Sequence, residues 1–194
     1  MSPVTRSVIA IPAAYASQEV ASFVAQLDDQ LRRQKEQTRT LTPADLEWQL
    51  APGMNTIGML MAHQAIIEVG WTGIGIEDLQ RSEIPFQEIL GIDDSGVPLA
   101  PDGAPPVALA GKDLAFFDDL LDRAREHLKR VAAPVRDSAL TIMRPRTRPN
   151  GELREVEVRW ILYHMLEHFA GHFGQILLLQ HARQALGVGD AAKR

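Results

Sequence analysis

The sequence predicts an all-α protein, a four-helix bundle with one small β-hairpin near residues 139–156. Three observations predict it. Four long segments repeat apolar residues at three- and four-residue spacing, the period of a helix with one buried face. An Asn150-Gly151 pair separates two short extended runs, a strong local hairpin signal. Two long connections imply crossovers rather than a simple up-down-up-down order. The 194 residues suit one domain, 1–194, and 45% hydrophobic residues supply a full core.

The first long helix is expected from about Ala14 to Thr38, with Val20, Phe23, Val24, Leu27 and Leu31 on one face. Thr42-Pro43-Ala44-Asp45 reads as a fresh helix start, Thr42 as cap and Pro43 in the first turn, and Pro52-Gly53 closes that segment. A second long helix, about Thr56 to Leu79, carries Met59, Leu60, His63, Ile66, Ile67 and Gly70 on its core face. Residues 91–110 form a connection dense in Gly, Pro and Asp, too long for a tight bundle loop and suited to covering a site. The third helix, about Lys112 to Ala132, places Leu114, Phe117, Leu121, Ala124, Leu128 and Val131 inward, and Pro134 stops it. Ala139–Met143 and Leu153–Val156 are the extended runs of the hairpin. The fourth long helix runs from about Val156 to Leu186, with Gly187 as its stop.

Composition narrows the function. A net charge of −5 argues against nucleic acid, which needs a clustered basic surface. The one basic cluster, Arg144, Arg146 and Arg148, reads as a solvated loop or hairpin. With no cysteine there is no disulfide framework and no thiolate ligand or nucleophile, so any metal is held by His, Asp or Glu. Arg6, a short apolar run and Ala14-Tyr15-Ala16 mimic a signal peptide only faintly, because Pro12 breaks the run. No stretch reaches the ~18 apolar residues of a membrane span. The expectation is a cytoplasmic protein acting on a small molecule.

The histidines carry the chemistry. His164, His168 and His172 are spaced by four on one helix, so neighbours lie about 40° apart and about 6 Å along the axis and can converge on one ion. His164 and His172 lie about 12 Å apart in rise, so one adjacent pair ligates and spacing does not choose which. His63, centred between Met59, Leu60, Ile66 and Ile67, supplies a third imidazole, since a buried ring needs a hydrogen bond or a metal. His127, between Arg123 and Arg130, reads as exposed, and His181 lies near a helix end. Three imidazoles with an open fourth position describe a catalytic rather than a structural centre, and all-imidazole ligation suits Zn, Ni, Fe or Co better than Mg or Ca. His164-Met165-Leu166-Glu167-His168 also matches the inverted peptidase pattern H-x-x-E-H, with Glu167 as general base; that reading leaves His63 and His172 without a role.

Several motifs resemble those of the DinB/YfiT-like family of metal-dependent helical bundles. They are Leu41-Thr42-Pro43-Ala44-Asp45-Leu46, Asn55-Thr56-Ile57-Gly58-Met59-Leu60-Met61-Ala62-His63, Arg159-Trp160-Ile161-Leu162-Tyr163-His164-Met165-Leu166-Glu167-His168, and Gly171-His172-Phe173-Gly174-Gln175-Ile176. The resemblance implies an up-down-down-up bundle, often a homodimer, with the metal on His63, His168 and His172. His164 then becomes a supporting or core residue. Two departures stand out: Gly171 and Phe173 replace the family's common His and Arg beside the last ligand, and the 91–110 connection is long. Characterised relatives use mycothiol or bacillithiol. The resemblance therefore implies a divalent transition metal (Zn or Ni first; Fe, Mn or Co as alternatives) and a low-molecular-weight thiol cosubstrate. The implied activity is that of a metal-dependent thiol S-transferase or a related hydrolase; a non-catalytic metal-binding stress-response bundle is the alternative. A chain without cysteine suits this chemistry, because the thiol arrives with the cosubstrate.

Overall fold

A computed structural model describes residues 6–93, 105–147 and 151–188. The chain forms α1 (Gln18–Thr38), the single turn α2 (Pro43–Leu46), α3 (Ile57–Thr72), α4 (Phe86–Leu90), α5 (Leu114–Ala132), the hairpin β1 (Met143–Thr147) and β2 (Leu153–Glu157), and α6 (Val158–Ala185). The four long helices and the small hairpin are those the sequence predicts.

Side-chain capping sets several helix starts. Ser17 accepts from the Val20 amide, Thr56 from Met59 and Asp113 from Phe116, each satisfying a donor that the first turn leaves over. Thr42 and Asp45 close a full capping box around α2. The first helix therefore starts at Gln18 rather than Ala14, because Ser17 holds the cap while its hydroxyl donates to Asp137.

Long-range pairs give the topology. Asp28 of α1 meets Arg125 and Lys129 of α5, while Lys35 meets Asp122, so those helices are antiparallel. Glu19 meets Arg159 at the start of α6, and Gln64, bonded to Gln34 near the end of α1, donates to the Phe169 carbonyl farther along α6; α1 and α6 are parallel. Gly58 approaches Phe117 and Glu68 pairs with Arg125, so α3 and α5 also run together. Chain direction is thus up, down, down, up. α3 is the central helix, with every residue from Ile57 to Thr72 buried except Ile67. A helix apolar on all sides is expected to be enclosed by its neighbours.

The second long helix does not continue regularly to Leu79. Its α-helical part ends at Thr72 and widens into a π-helical turn, Gly73–Glu77, closed by Asp78 in the left-handed region (φ 62°). A Cβ on Gly73 would lie 2.9 Å from Ile84, and one on Gly75 would lie 3.0 Å from Ile161. The two glycines let the end of this helix approach its neighbours closely. Periodicity does not predict α4, which is only five residues long.

In the hairpin, Arg146 pairs with Arg154 and Arg144 with Val156. The strands begin at Met143 rather than Ala139, because Asp137–Ala139 forms a 3₁₀ turn. Gly151 takes φ 82°, while Pro149 and Asn150 of the expected turn, like Arg148, lie outside the described residues. Arg144 and Arg146 are not simply solvated. Arg144 Nε donates to the Gly75 carbonyl at 3.1 Å and pairs with Asp78, and Arg146 lies over the Trp71 ring. No helix among the described residues is long and apolar enough to cross a membrane.

Candidate metal centre

Two helices bring the candidate ligands together. His63 projects from the middle of α3, and His168 and His172 stand one turn apart on α6. His63 Nε2 lies 3.0 Å from His168 Nε2, and His172 Nε2 lies 3.1 Å from the same atom. All three ligand nitrogens fall within 4.8 Å of one another. His63 is buried; the other two are half-buried.

The donor set fits a divalent cation. Tetrahedral ligand nitrogens at ~2.0–2.1 Å from zinc lie about 3.3 Å from one another, close to the spacing seen here. Three imidazoles facing each other this closely offer their ring nitrogens to one shared point, where a single cation would satisfy all of them. Protonation is disfavoured: burial and then the neighbouring His172, His63 and His164 lower the His168 pKa to about 3. At neutral pH its ring is an uncharged donor.

A supporting contact orients one ligand. His172 Nδ1 donates to Gln175 Oε1 at 2.7 Å, which leaves the Nε2 lone pair directed at the other two rings. Gln175 is a residue that the histidine spacing alone misses; its sequence signals are its position three residues after His172 and its place in the Gly171–Ile176 motif. Gln175→Leu is expected to weaken metal binding by about 10–100-fold with the fold unchanged, read by competition with a chromophoric chelator.

His164 does not join the group. Its ring stacks on Trp160 (centroids 4.7 Å, planes 9° apart), meets Trp71 edge-on at 5.3 Å and lies 5.8 Å from the His168 ring. Burial lowers its pKa, opposed by Glu167 and reinforced by Arg146 and Arg154. Glu167 is half exposed, lies 3.9 Å from His164 Nδ1 and is not among the residues grouped around His168. The inverted peptidase arrangement, which needs Glu167 aimed at the ion, is therefore not formed.

His127 corrects an expectation. It is 8% exposed rather than solvated: Nε2 lies 3.1 Å from Glu77, and Arg130 reaches Nδ1 at 2.9 Å. The π-helical turn carries Glu77 to the α5 face, which sequence spacing does not reveal. His181 is exposed near the end of α6.

A cavity of about 550 Å³ is lined by Leu50, Met54, Leu60, Gln175, Leu178 and Leu179 among others, and none of the three histidines lines it. Leu60 is one turn from His63, and Gln175 is bonded to His172. Among its described residues, the 91–110 connection does not border this cavity: Pro105, Pro106, Val107, Leu109 and Ala110 line a separate one with Gly58, Met59 and Phe117, and residues 94–104 lie outside the described part.

Fold and site define a helical bundle with a three-histidine group able to hold a metal ion. A family model described as mycothiol-S-transferase matches residues 22–184, and the chain belongs to that family. No curated protein matches the chain.

Proposed function

We propose that the protein is a metal-dependent transferase that joins a low-molecular-weight thiol, mycothiol in the first instance, to an electrophilic small molecule. The observation that supports it best is the convergence of three imidazoles from α3 and α6 on one point, in a chain of this family. His63, His168 and His172 would hold the ion, Zn or Ni first, with Fe, Mn and Co as alternatives. Bound there with a coordination position left open, a divalent ion lowers the pKa of an incoming thiol and makes thiolate available at neutral pH.

The chain's own residues supply the rest. Gln175 keeps His172 in the ligating tautomer. Leu60, Leu178 and Leu179 give the cavity an apolar wall, which excludes water from the nucleophile and receives the apolar part of the electrophile. No cysteine of the protein competes for the electrophile. His168 and His172 are only half-buried, which favours a catalytic over a purely metal-storing role, since a storage site would be sealed.

The test is a panel of mycothiol, bacillithiol, glutathione and cysteine against monochlorobimane, with the metal-loaded protein. Mycothiol-dependent conjugation that disappears in His168→Ala is the expected result. Binding of one metal per chain with no rate above background for any thiol would refute the transferase reading.

A further inference from the structure

Apolar contact is non-directional, so it holds two helices together without choosing how they are aligned. α3 is enclosed almost all round, and it must hold His63 against rings carried by α6. A ligand constellation tolerates only about 0.5 Å of displacement, whereas a slip by one residue moves a helix by about 1.5 Å. A directional contact has to set the register. Besides His63, the buried polar side chains of α3 are Gln64, Glu68 and Thr72. Thr72 bonds back to its own helix and Glu68 reaches α5, which leaves Gln64.

Gln64 ties three helices together beside the histidines. Its Nε2 donates to Gln34 Oε1 of α1 at 2.9 Å and to the Phe169 carbonyl of α6 at 3.1 Å. Gln34 Nε2 returns a bond to Gln64 Oε1 at 2.8 Å. Gln34 is 0% and Gln64 2% exposed, so solvent does not compete for these bonds. A carbonyl can only accept, so Phe169 turns the Gln64 nitrogen toward α6, and the reciprocal bond then orients Gln34. Both anchor points adjoin ligands in the chain: Gln64 follows His63, and Phe169 follows His168. Phe169 is held a second time, because its ring lies 5.8 Å from Cζ of Arg125, which is itself bonded to Glu68 of α3. The gap bounded by Gln64, Glu68, His168 and Phe169 is too small to admit a water molecule, so nothing replaces a lost amide contact there.

We propose that Gln64, oriented by Gln34, is a positioning residue: its bond to the Phe169 carbonyl fixes α3 against α6 so that the His63 and His168 rings meet. The 3.0 Å approach of their Nε2 atoms is then a property of the folded chain before any ion arrives. That this spacing serves an ion rests on the metal-dependent reading; that the amides set it does not. A preformed group binds more tightly than one an ion has to assemble, because no ordering cost is drawn from the binding energy. Fully bonded buried amides select one arrangement, whereas apolar side chains of the same size would keep the helices packed without selecting it.

The double variant Gln34→Leu/Gln64→Leu tests this, because removing both amides leaves no side chain unpaired and is nearly neutral for folding. In the metal-free wild-type chain, nuclear Overhauser contacts between the His63 and His168 ring protons are expected, and in the double variant their loss. With Co(II) as the probe, the double variant should bind about tenfold or more weakly by chelator competition and show altered d–d bands. Its melting temperature should stay close to that of the wild type. Leu128→Ala, a truncation in the core of α5, should lower the melting temperature and leave the ring contacts and Co(II) bands unchanged. Ring contacts and Co(II) affinity kept at wild-type values in the double variant overturn the proposal, as does their loss in Leu128→Ala. If the double variant fails to fold, the single variants decide: Gln34→Leu keeps the Gln64–Phe169 bond and should lose less affinity than Gln64→Leu, and an equal or larger loss overturns the proposal. A wild-type chain with the ring contacts that binds no Co(II) refutes the metal-dependent reading, and the ring contacts of the variants still decide this one.

Discussion

Replacing His168 by alanine is expected to abolish metal retention and any metal-dependent turnover. Its Nε2 is the atom both other rings converge on, at 3.0 and 3.1 Å, so its loss leaves two imidazoles on different helices without a shared centre. Affinity should fall by more than about 10³-fold, beyond the ~10–100-fold typical of a supporting residue such as Gln175. Circular dichroism should remain helical, since the ring is only half-buried. The same residue gives the metal-free protein a pH dependence. Its pKa is depressed from 6.5 to about 3 in the folded chain, so the unfolded chain binds the extra proton between those values. Stability of the metal-free protein through this residue therefore rises with pH from about 3 to 6.5 and is flat above. Metal strengthens the effect, since only neutral imidazole ligates.

Glu68→Ala carries the largest expected stability cost. Arg125 is 2% exposed and is held by Glu68 through Nε at 2.7 Å and a second nitrogen at 3.0 Å, with Asp28 on a third at 2.9 Å and Phe169 beneath. Removing Glu68 leaves a buried guanidinium with one half-exposed partner. Breaking a buried pair on one side costs about 3–5 kcal/mol, a large share of the ~5–15 kcal/mol that holds a domain together. The melting temperature should drop by about 6–20 °C in calorimetry. The double variant Glu68→Leu/Arg125→Met should recover part of that loss, because no charge is left unpaired. Additive losses in the double variant would show instead that the two residues matter through packing alone.

The fold was legible where one physical signal acts over a long stretch. Apolar spacing marks all four long helices to within a few residues, and Asn150-Gly151 marks the hairpin. The errors sit where contacts distant in sequence override the local signal. Ser17 delays the first helix because Asp137, far along the chain, holds its hydroxyl. The end of α3 opens into a π-turn, where Gly73 and Gly75 let Ile84 and Ile161 approach closely. His127 is buried because that turn delivers Glu77 to it.

The candidate site divides in the same way. Four-residue spacing makes His164, His168 and His172 conspicuous, and a lone histidine in an apolar stripe points to His63. Spacing left the choice of pair open; the structure groups His168 with His172 and stacks His164 on Trp160. Trp71, Trp160 and the hairpin arginines carry no spacing rule, since they meet only when the hairpin folds onto α3 and α6. Their stacking could not be read before the fold.

Metal titration with X-ray absorption spectroscopy, on the wild-type chain and on His63→Ala, His168→Ala and His172→Ala, tests the central claim most directly. One ion per wild-type chain, a first shell containing three imidazoles with one or more exchangeable light-atom ligands, and loss of the ion in each single variant is the predicted result. A folded wild-type chain that binds no ion, or an ion retained at full stoichiometry in all three variants, would contradict it.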